Sequence, residues 1–282
     1  MTFLGRAEDP EKAEIVILPA PYDATTSYLP GARFGPRRLL EASVYLEFYD
    51  EELGCEAEAL PGILTLSEEE LPLAPEKALS ALRERLRPHL EAGRFPVVLG
   101  GEHTVSLAPI ELLLERYPGL VVVQLDAHAD LRARYQGTLY SHACVMRRAY
   151  ELGARIISLG VRALSREEHL FAQREGIPLI WARMLKEDRE GVFVFLENAF
   201  KDSPVYVSID LDGLDPAEIP GVGTPEPGGL SWYETLDLLR LLARFQVVGF
   251  DVVELLPKDE RSAFAAAKLT YKFLSYLFCP RP

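Results

Sequence analysis

Leu120-Val121-Val122-Val123-Gln124-Leu125-Asp126-Ala127-His128-Ala129-Asp130 is the stretch on which the fold turns. Its apolar half reads as a strand buried on both faces, as in a parallel sheet. In open α/β sheets the groups that meet a ligand sit just past the carboxyl ends of the strands, which is where Asp126, His128 and Asp130 fall. Side chains of an extended backbone repeat every second residue, so these two carboxylates and the imidazole can face one cavity. That is a metal-ligand pattern. The plain alternative is an Asp that caps a helix or bends a turn.

A second copy weakens that alternative. Ser208-Ile209-Asp210-Leu211-Asp212-Gly213-Leu214-Asp215-Pro216 follows Val205-Tyr206-Val207 and again sets two carboxylates two residues apart at a strand end. A third strand end, Val97-Val98-Leu99-Gly100-Gly101-Glu102-His103, adds an imidazole, and its glycine pair is expected to let the backbone turn tightly. His103 alone has the alternative of donating to a carbonyl. Six ligand-type side chains at three strand ends are hard to explain as caps.

Outward from these stretches, strand patterns at 14–19, 95–99, 155–161, 179–181 and 246–253 alternate with helical ones. The helices are expected at 37–45, 75–91, 106–117, 142–152, between 161 and 179, and at 235–244 and 263–277. Pro36 suits a helix start, and the spacing of Leu79, Leu82, Leu86 and Leu90 gives an amphipathic helix that Gly93 closes. Such alternation implies a mainly parallel sheet with helices on both faces. No linker or repeat divides the chain, so residues 1–282 are expected to form one domain. Residues 30–36, rich in Pro and Gly, read as punctuation or as a segment folding over a site. The acidic stretch through Pro61 reads as a solvated face, and His89 and His169 as surface residues.

The 48% apolar and 26% charged composition is ordinary for a soluble globular protein. No apolar run approaches the roughly 20 residues of a membrane helix. Arg6, Glu8, Asp9, Glu11 and Lys12 break the order of a signal peptide, so a cytoplasmic protein is expected. A net charge of -13 argues against nucleic acid, whose binding rests on basic residues, and suits attraction of a small cation. Cys55, Cys144 and Cys279 are odd in number and far apart. Neither a disulfide frame nor a thiolate zinc site is expected of them, and they read as packing thiols.

Four aspartates and two imidazoles carry too much negative charge for one divalent ion and suit two. Asp126 and Asp210, first in their pairs, are placed to bridge the ions, with His103 and Asp130 completing one and His128 and Asp212 the other. An oxygen-rich set with two nitrogens fits near-octahedral Mn²⁺ better than tetrahedral Zn²⁺, so two Mn²⁺ per chain are expected. Ions roughly 3.5 Å apart can hold a water between them and bring its pKa to neutrality. Asp130 could also accept a hydrogen bond from that water. Glu254, at the end of the 246–253 strand, could pair with a cationic substrate group, or serve as a surface or capping carboxylate. His142 could pass a proton to a leaving amine, or merely cap and pack.

Taken in order, Gly100-Gly101-Glu102-His103, Asp126-Ala127-His128-Ala129-Asp130, the 208–216 stretch and the strand ending at Glu254 resemble the motifs of the ureohydrolases, that is, arginases, agmatinases and relatives. The resemblance runs from about residue 14 to the carboxyl end. It implies a three-layer α/β/α fold, a binuclear Mn²⁺ centre on the six ligands, and hydrolysis of a guanidino group to urea and an amine. It puts the family's proton-shuttling histidine at His142 and its guanidinium-binding glutamate at Glu254, and implies a homotrimer or homohexamer.

Within the family, Pro30-Gly31-Ala32-Arg33-Phe34-Gly35-Pro36 and Gly223-Thr224-Pro225-Glu226-Pro227-Gly228-Gly229 look like the agmatinase branch. The loop before His142 lacks the Asn and paired hydroxyls with which arginases hold the amino acid end of arginine. The substrates implied are agmatine or its aminopropyl derivative, which would yield spermidine directly; arginine and guanidinobutyrate rank lower. An inactive binding homologue and a one-zinc deacetylase of a related type are the readings from other classes. The complete ligand set, the second imidazole and the Glu254 strand weigh against them.

Overall fold

The computed structural model describes residues 1–6, 9–201 and 203–279; Glu8 of the charged amino-terminal stretch lies outside them. In chain order come β1 (Ile15–Ala20), α1 (Gly35–Ser43), the short β2 (Tyr49–Asp50) and β3 (Cys55–Glu56), β4 (Ile63–Thr65), α2 (Pro75–Glu91), β5 (Phe95–Gly100), α3 (Leu107–Arg116) and β6 (Val121–Leu125). There follow α4 (Val145–Glu151), β7 (Arg155–Val161), α5 (Arg166–Glu175), β8 (Leu179–Trp181), α6 (Ala182–Glu187), α7 (Arg189–Phe200), β9 (Val205–Asp210), α8 (Trp232–Leu242), β10 (Val247–Val253) and α9 (Glu260–Phe278).

Eight strands form one sheet in the order β4-β1-β5-β10-β9-β6-β7-β8, with every pairing parallel. All carboxyl ends therefore emerge along one edge. Because β5, β10, β9 and β6 are neighbours, they deliver His103, Glu254, Asp210 with Asp212, and Asp126 with His128 to adjoining positions, while β1 brings the loop carrying Thr25 alongside β5.

Alternation along the strands sends residues to two cores. Ile15, Val97, Val123, Val207 and Phe250 pack with Leu39 of α1, Leu196 of α7, Leu239 of α8 and Phe273 of α9. Val16, Val98, Val122 and Ile156 pack with Leu82 of α2, Ile110 of α3, Met146 of α4 and Phe171 of α5. Helices thus cover both faces, which gives the expected three-layer architecture and explains why the central strands read as unbroken apolar runs. Each fully buried aliphatic side chain contributes about 1.5–3 kcal/mol, and together they hold the ligand-bearing edge in place.

Several expectations fail. The acidic stretch before Pro61 is not simply a solvated face: Asp50 is fully buried, and Lys272 Nζ lies 3.0 Å from its carboxylate and 2.8 Å from that of Glu52. Cys55 and Cys279 are not packing thiols but a disulfide, joined across 224 residues because α9 returns over the β2–β3 hairpin. No local spacing announces such a bond. Cys144 is a buried free thiol. His89 is half-buried instead of exposed, with Nδ1 2.6 Å from Arg94 Nη1. The short β4 and the helices α6 and α7 had no clear pattern: Val192, Phe193, Val194, Phe195 and Leu196 form a run that masks the helical period. Asp188 caps α7 through the Gly191 N–H at 3.1 Å. Among the described residues no helix is long and apolar enough to cross a membrane.

Candidate active site

Asp126 follows β6 directly and is fully buried. Its Oδ1 accepts the His128 N–H at 2.6 Å and its Oδ2 the Gln124 amide at 2.6 Å, and Gln124 is itself held by the Ser158 hydroxyl at 2.8 Å. These bonds aim the carboxylate out of the strand end, with Oδ2 3.1 Å from His103 Nδ1 and Oδ1 3.4 Å from His128 Nδ1. His103 Nδ1 also meets Asp130 Oδ2 at 3.0 Å and Asp210 Oδ2 at 3.3 Å, while His128 Nδ1 meets Asp212 Oδ2 at 3.0 Å. The six sequence-selected groups therefore converge, as two clusters sharing Asp126. Asp210 joins the His103 cluster through Oδ2; its Oδ1 accepts the Asp212 N–H at 2.9 Å. Asp212 in turn accepts the Ala127 N–H at 3.0 Å and the Thr224 hydroxyl at 3.2 Å.

Behind His103 runs a buried relay. Nε2 lies 2.8 Å from Ser208 Oγ, the Ser208 hydroxyl donates to Asp251 Oδ1 at 2.8 Å, and Tyr206 donates to Asp251 Oδ2 at 2.8 Å. With the Ser208 proton directed at Asp251, His103 Nε2 is the donor, and in the neutral ring Nδ1 carries the lone pair. Nδ1 is buried, has no hydrogen-bond partner among the described residues, and faces three carboxylates. A lone pair buried against acceptors is costly by itself and is completed by a cation. The donor set, carboxylate oxygens with two imidazole nitrogens and no thiolate, fits a pair of divalent ions.

The electrostatics agree. Burial opposes charge on His103 and His128, yet the facing carboxylates outweigh it and raise both well above the ordinary imidazole value. The field that favours a proton there favours metal cations equally. Burial raises Asp130, with help from the Asp126 charge, to about 7, and raises Glu254, with help from Glu102, to about 8. His142 moves the other way, pulled down to about 4 by burial and by the charges of His103 and His128.

His142 and Glu254 both line the cleft with five of the six ligand-type residues, Asp126 lying behind. Thr25 Oγ1 donates to the buried Glu102, so its 3.4 Å contact with His142 Nδ1 is donated by the ring. This leaves Nε2 of the neutral imidazole as an acceptor. Glu254 Oε1 accepts the His103 N–H at 2.8 Å. Asp23 closes the 22–34 loop by accepting the N–H groups of Gly31 and Arg33 at 2.8 and 3.3 Å. The loop walls the cleft through Thr26 and Ser27, while Gly31 and Gly35 press against Leu256 and Leu255.

The chain bends at Gly101 and brings His103 to the other ligands as expected, although neither Gly100 nor Gly101 has a positive φ. They are needed for close approach: a Cβ on Gly101 would stand 2.0 Å from the Tyr22 carbonyl oxygen. Within the site, Asp130 (φ 52) and Glu254 (φ 65) are the strained residues. Their left-handed backbone costs on the order of 1–2 kcal/mol each, offset by bonds from the Met146 and Arg147 N–H groups to the Asp130 carbonyl and from the Glu254 N–H to Gly101.

Sequence reasoning passed over Thr25, Glu102, Gln124, Arg162, Ser208, Thr224 and Asp251. Gln124, Ser208 and Asp251 each carried a signal, a polar residue inside a strand buried on both faces. Thr25 and Thr224 sit on loops and carried none.

The arginase family model matches residues 13–275. The chain is 39% identical over 273 residues to the N(1)-aminopropylagmatine ureohydrolase of Synechocystis sp., spanning 94% of this chain and 89% of that one. It is 38% identical over 268 residues to the agmatinase of Pyrococcus horikoshii, spanning 93% and 92%. The crystal structure of agmatine ureohydrolase of Thermoplasma volcanium superposes with a TM-score of 0.88 at 32% identity over 98% of this chain and 94% of that one. With the family match covering nearly its whole length, this chain belongs to the arginase family.

Proposed function

We propose that this chain is an agmatinase-type ureohydrolase with one catalytic domain over residues 1–282, cleaving agmatine or aminopropylagmatine to urea and putrescine or spermidine in polyamine biosynthesis. The similarity to an N(1)-aminopropylagmatine ureohydrolase and an agmatinase supports that substrate class. The observation that carries the reading is the Nδ1 of His103, without a hydrogen-bond partner among the described residues and facing three carboxylates, with Asp126 reaching from it to His128. His103, Asp126, Asp130 and Asp210 would hold one Mn²⁺, and His128 and Asp212 with Asp126 and Asp210 the other. Manganese suits a set of carboxylates and imidazoles. When bound, such a pair supplies Lewis acidity that brings water toward hydroxide at neutral pH.

The chain's own residues do the rest. Glu254 Oε2, left over after Oε1 accepts the His103 N–H, receives the guanidinium. Asp130 accepts a hydrogen bond from the attacking water. As water adds to the guanidino carbon, His142 Nε2 accepts a proton and hands it to the departing amine while the carbon–nitrogen bond breaks. A neutral His142 is the form that can accept first.

A cytoplasmic homotrimer or homohexamer belongs to the same proposal, supported by the family resemblance. The Cys55–Cys279 disulfide bears on it, because a reducing cytosol opens most such bonds. Urea release from agmatine, aminopropylagmatine and arginine, measured side by side with Mn²⁺, tests the reading. Release from arginine alone would overturn it.

A further inference from the structure

The narrow inner cleft opens into an outer cavity of about 280 Å³, sharing Ser27, His128, Asp130, His142 and Thr224 with it. Three carboxylate residues line the outer cavity: Asp130, Glu168 and Glu226. Asp130 faces His103. Glu168 is committed, accepting the Leu131 N–H at 3.1 Å and the Ser165 N–H and hydroxyl at 2.8 and 2.7 Å, with Arg132 Nε 3.6 Å away.

Glu226 differs. It is half-buried, and its carboxylate has no hydrogen bond or ion pair among the described residues. Its backbone, by contrast, is fixed. The Glu226 carbonyl accepts Arg162 Nη2 at 2.8 Å and Nε at 3.3 Å, and that guanidinium also bonds the carbonyls of Asp212 and Leu214 at 2.6 and 3.2 Å, so its hydrogen bonds go to main chain. Asp215 accepts the Gly228 and Gly229 N–H groups at 2.8 and 3.0 Å, and the Thr224 hydroxyl bonds Asp212. Pinned at these points, one loop presents Thr224 to the inner cleft and Glu226 to the outer cavity. The fixed cation of that cavity, Arg132, is drawn toward Glu168 and over the Tyr135 ring.

We propose that Glu226 is a specificity-determining residue that receives a protonated amine at the end of the substrate away from the guanidinium. The preferred substrate is then a guanidino polyamine long enough to pass from Glu254 into the outer cavity, aminopropylagmatine ahead of agmatine. This rests on the ureohydrolase reading for the chemistry at Glu254. A flexible chain needs such an anchor, because an ammonium left beside a carboxylate without contact gains little, whereas a charge-assisted hydrogen bond fixes it.

Glu226→Gln keeps the shape and removes the charge. With the Mn²⁺-supplemented wild type and variant, urea release is measured from aminopropylagmatine, agmatine and butylguanidine, which lacks the far amine. The expected result is a KM for aminopropylagmatine raised about tenfold with kcat within twofold, a smaller rise for agmatine, and no change for butylguanidine. An equal loss on all three substrates, or none on aminopropylagmatine, overturns the proposal. Calorimetric titration with spermidine reads the same contact without turnover. Binding about tenfold weaker in the variant supports the role of Glu226 even if no guanidine is hydrolysed, a result that would sink only the ureohydrolase reading; equal binding overturns the role.

Discussion

His103 Nε2 stands 2.8 Å from Ser208 Oγ, at the head of a buried chain that continues through Asp251 to Tyr206. The chain orients the imidazole and keeps the lone pair of Nδ1 turned toward Asp126, Asp130 and Asp210. Ser208→Ala removes the acceptor that fixes this tautomer. Mn²⁺ affinity, read by competition with a chelating dye, should fall about 10–100-fold. Unchanged affinity would mean that the relay does not set the ring.

Glu254→Gln retains an acceptor for the His103 N–H but loses the charge offered to a guanidinium. Removing one charge-assisted hydrogen bond costs about 1.5–3 kcal/mol, so kcat/KM should fall roughly 10- to 150-fold. Metal content should stay as in the wild type. Loss of metal together with activity would make Glu254 a structural residue.

Much of this site was legible because strands buried on both faces announce themselves as apolar runs and their ends then stand out. Asp126, His128, Asp210, Asp212 and His103 could be named from that contrast, and the parallel sheet order brings them together. The second tier was harder to read. Ser208 and Asp251 interrupt strands without saying what they touch, and Thr25 and Thr224 depend on loop paths that no periodicity encodes. The Cys55–Cys279 bond and the Lys272 cluster depend on where α9 lands, a relation across more than 200 residues.

Lys272 offers a test of that landing. Burial pulls its pKa down, but Glu52 and Asp50 outweigh burial and the net shift is upward from 10.5. A group raised on folding stabilises fully below its unfolded value, so the pairing holds below pH 10.5 and is lost as pH rises through the raised value. Lys272→Met leaves Asp50 buried and unpaired and should cost about 3–5 kcal/mol by urea denaturation at pH 7. The deficit relative to the wild type should shrink above pH 10.5. A deficit independent of pH would assign the loss to packing alone.

Cys279→Ser reopens a 224-residue loop in the unfolded chain. Chain entropy puts the loss at up to about 5 kcal/mol. The denaturation midpoint should drop, with turnover at low temperature unaffected, since neither cysteine lines the cleft. A midpoint equal to that of the oxidised wild type would show that the bond does not constrain the chain in solution.

Titration of chelator-stripped protein with Mn²⁺, followed calorimetrically and by metal analysis after desalting, addresses the clusters themselves. Asp126 Oδ2 faces His103 and Oδ1 faces His128, so the wild type should take two ions per chain and Asp126→Ala should retain neither. A wild type that binds one ion or none, or an Asp126→Ala protein that still holds two, would contradict the shared-carboxylate centre on which the proposed hydrolysis depends.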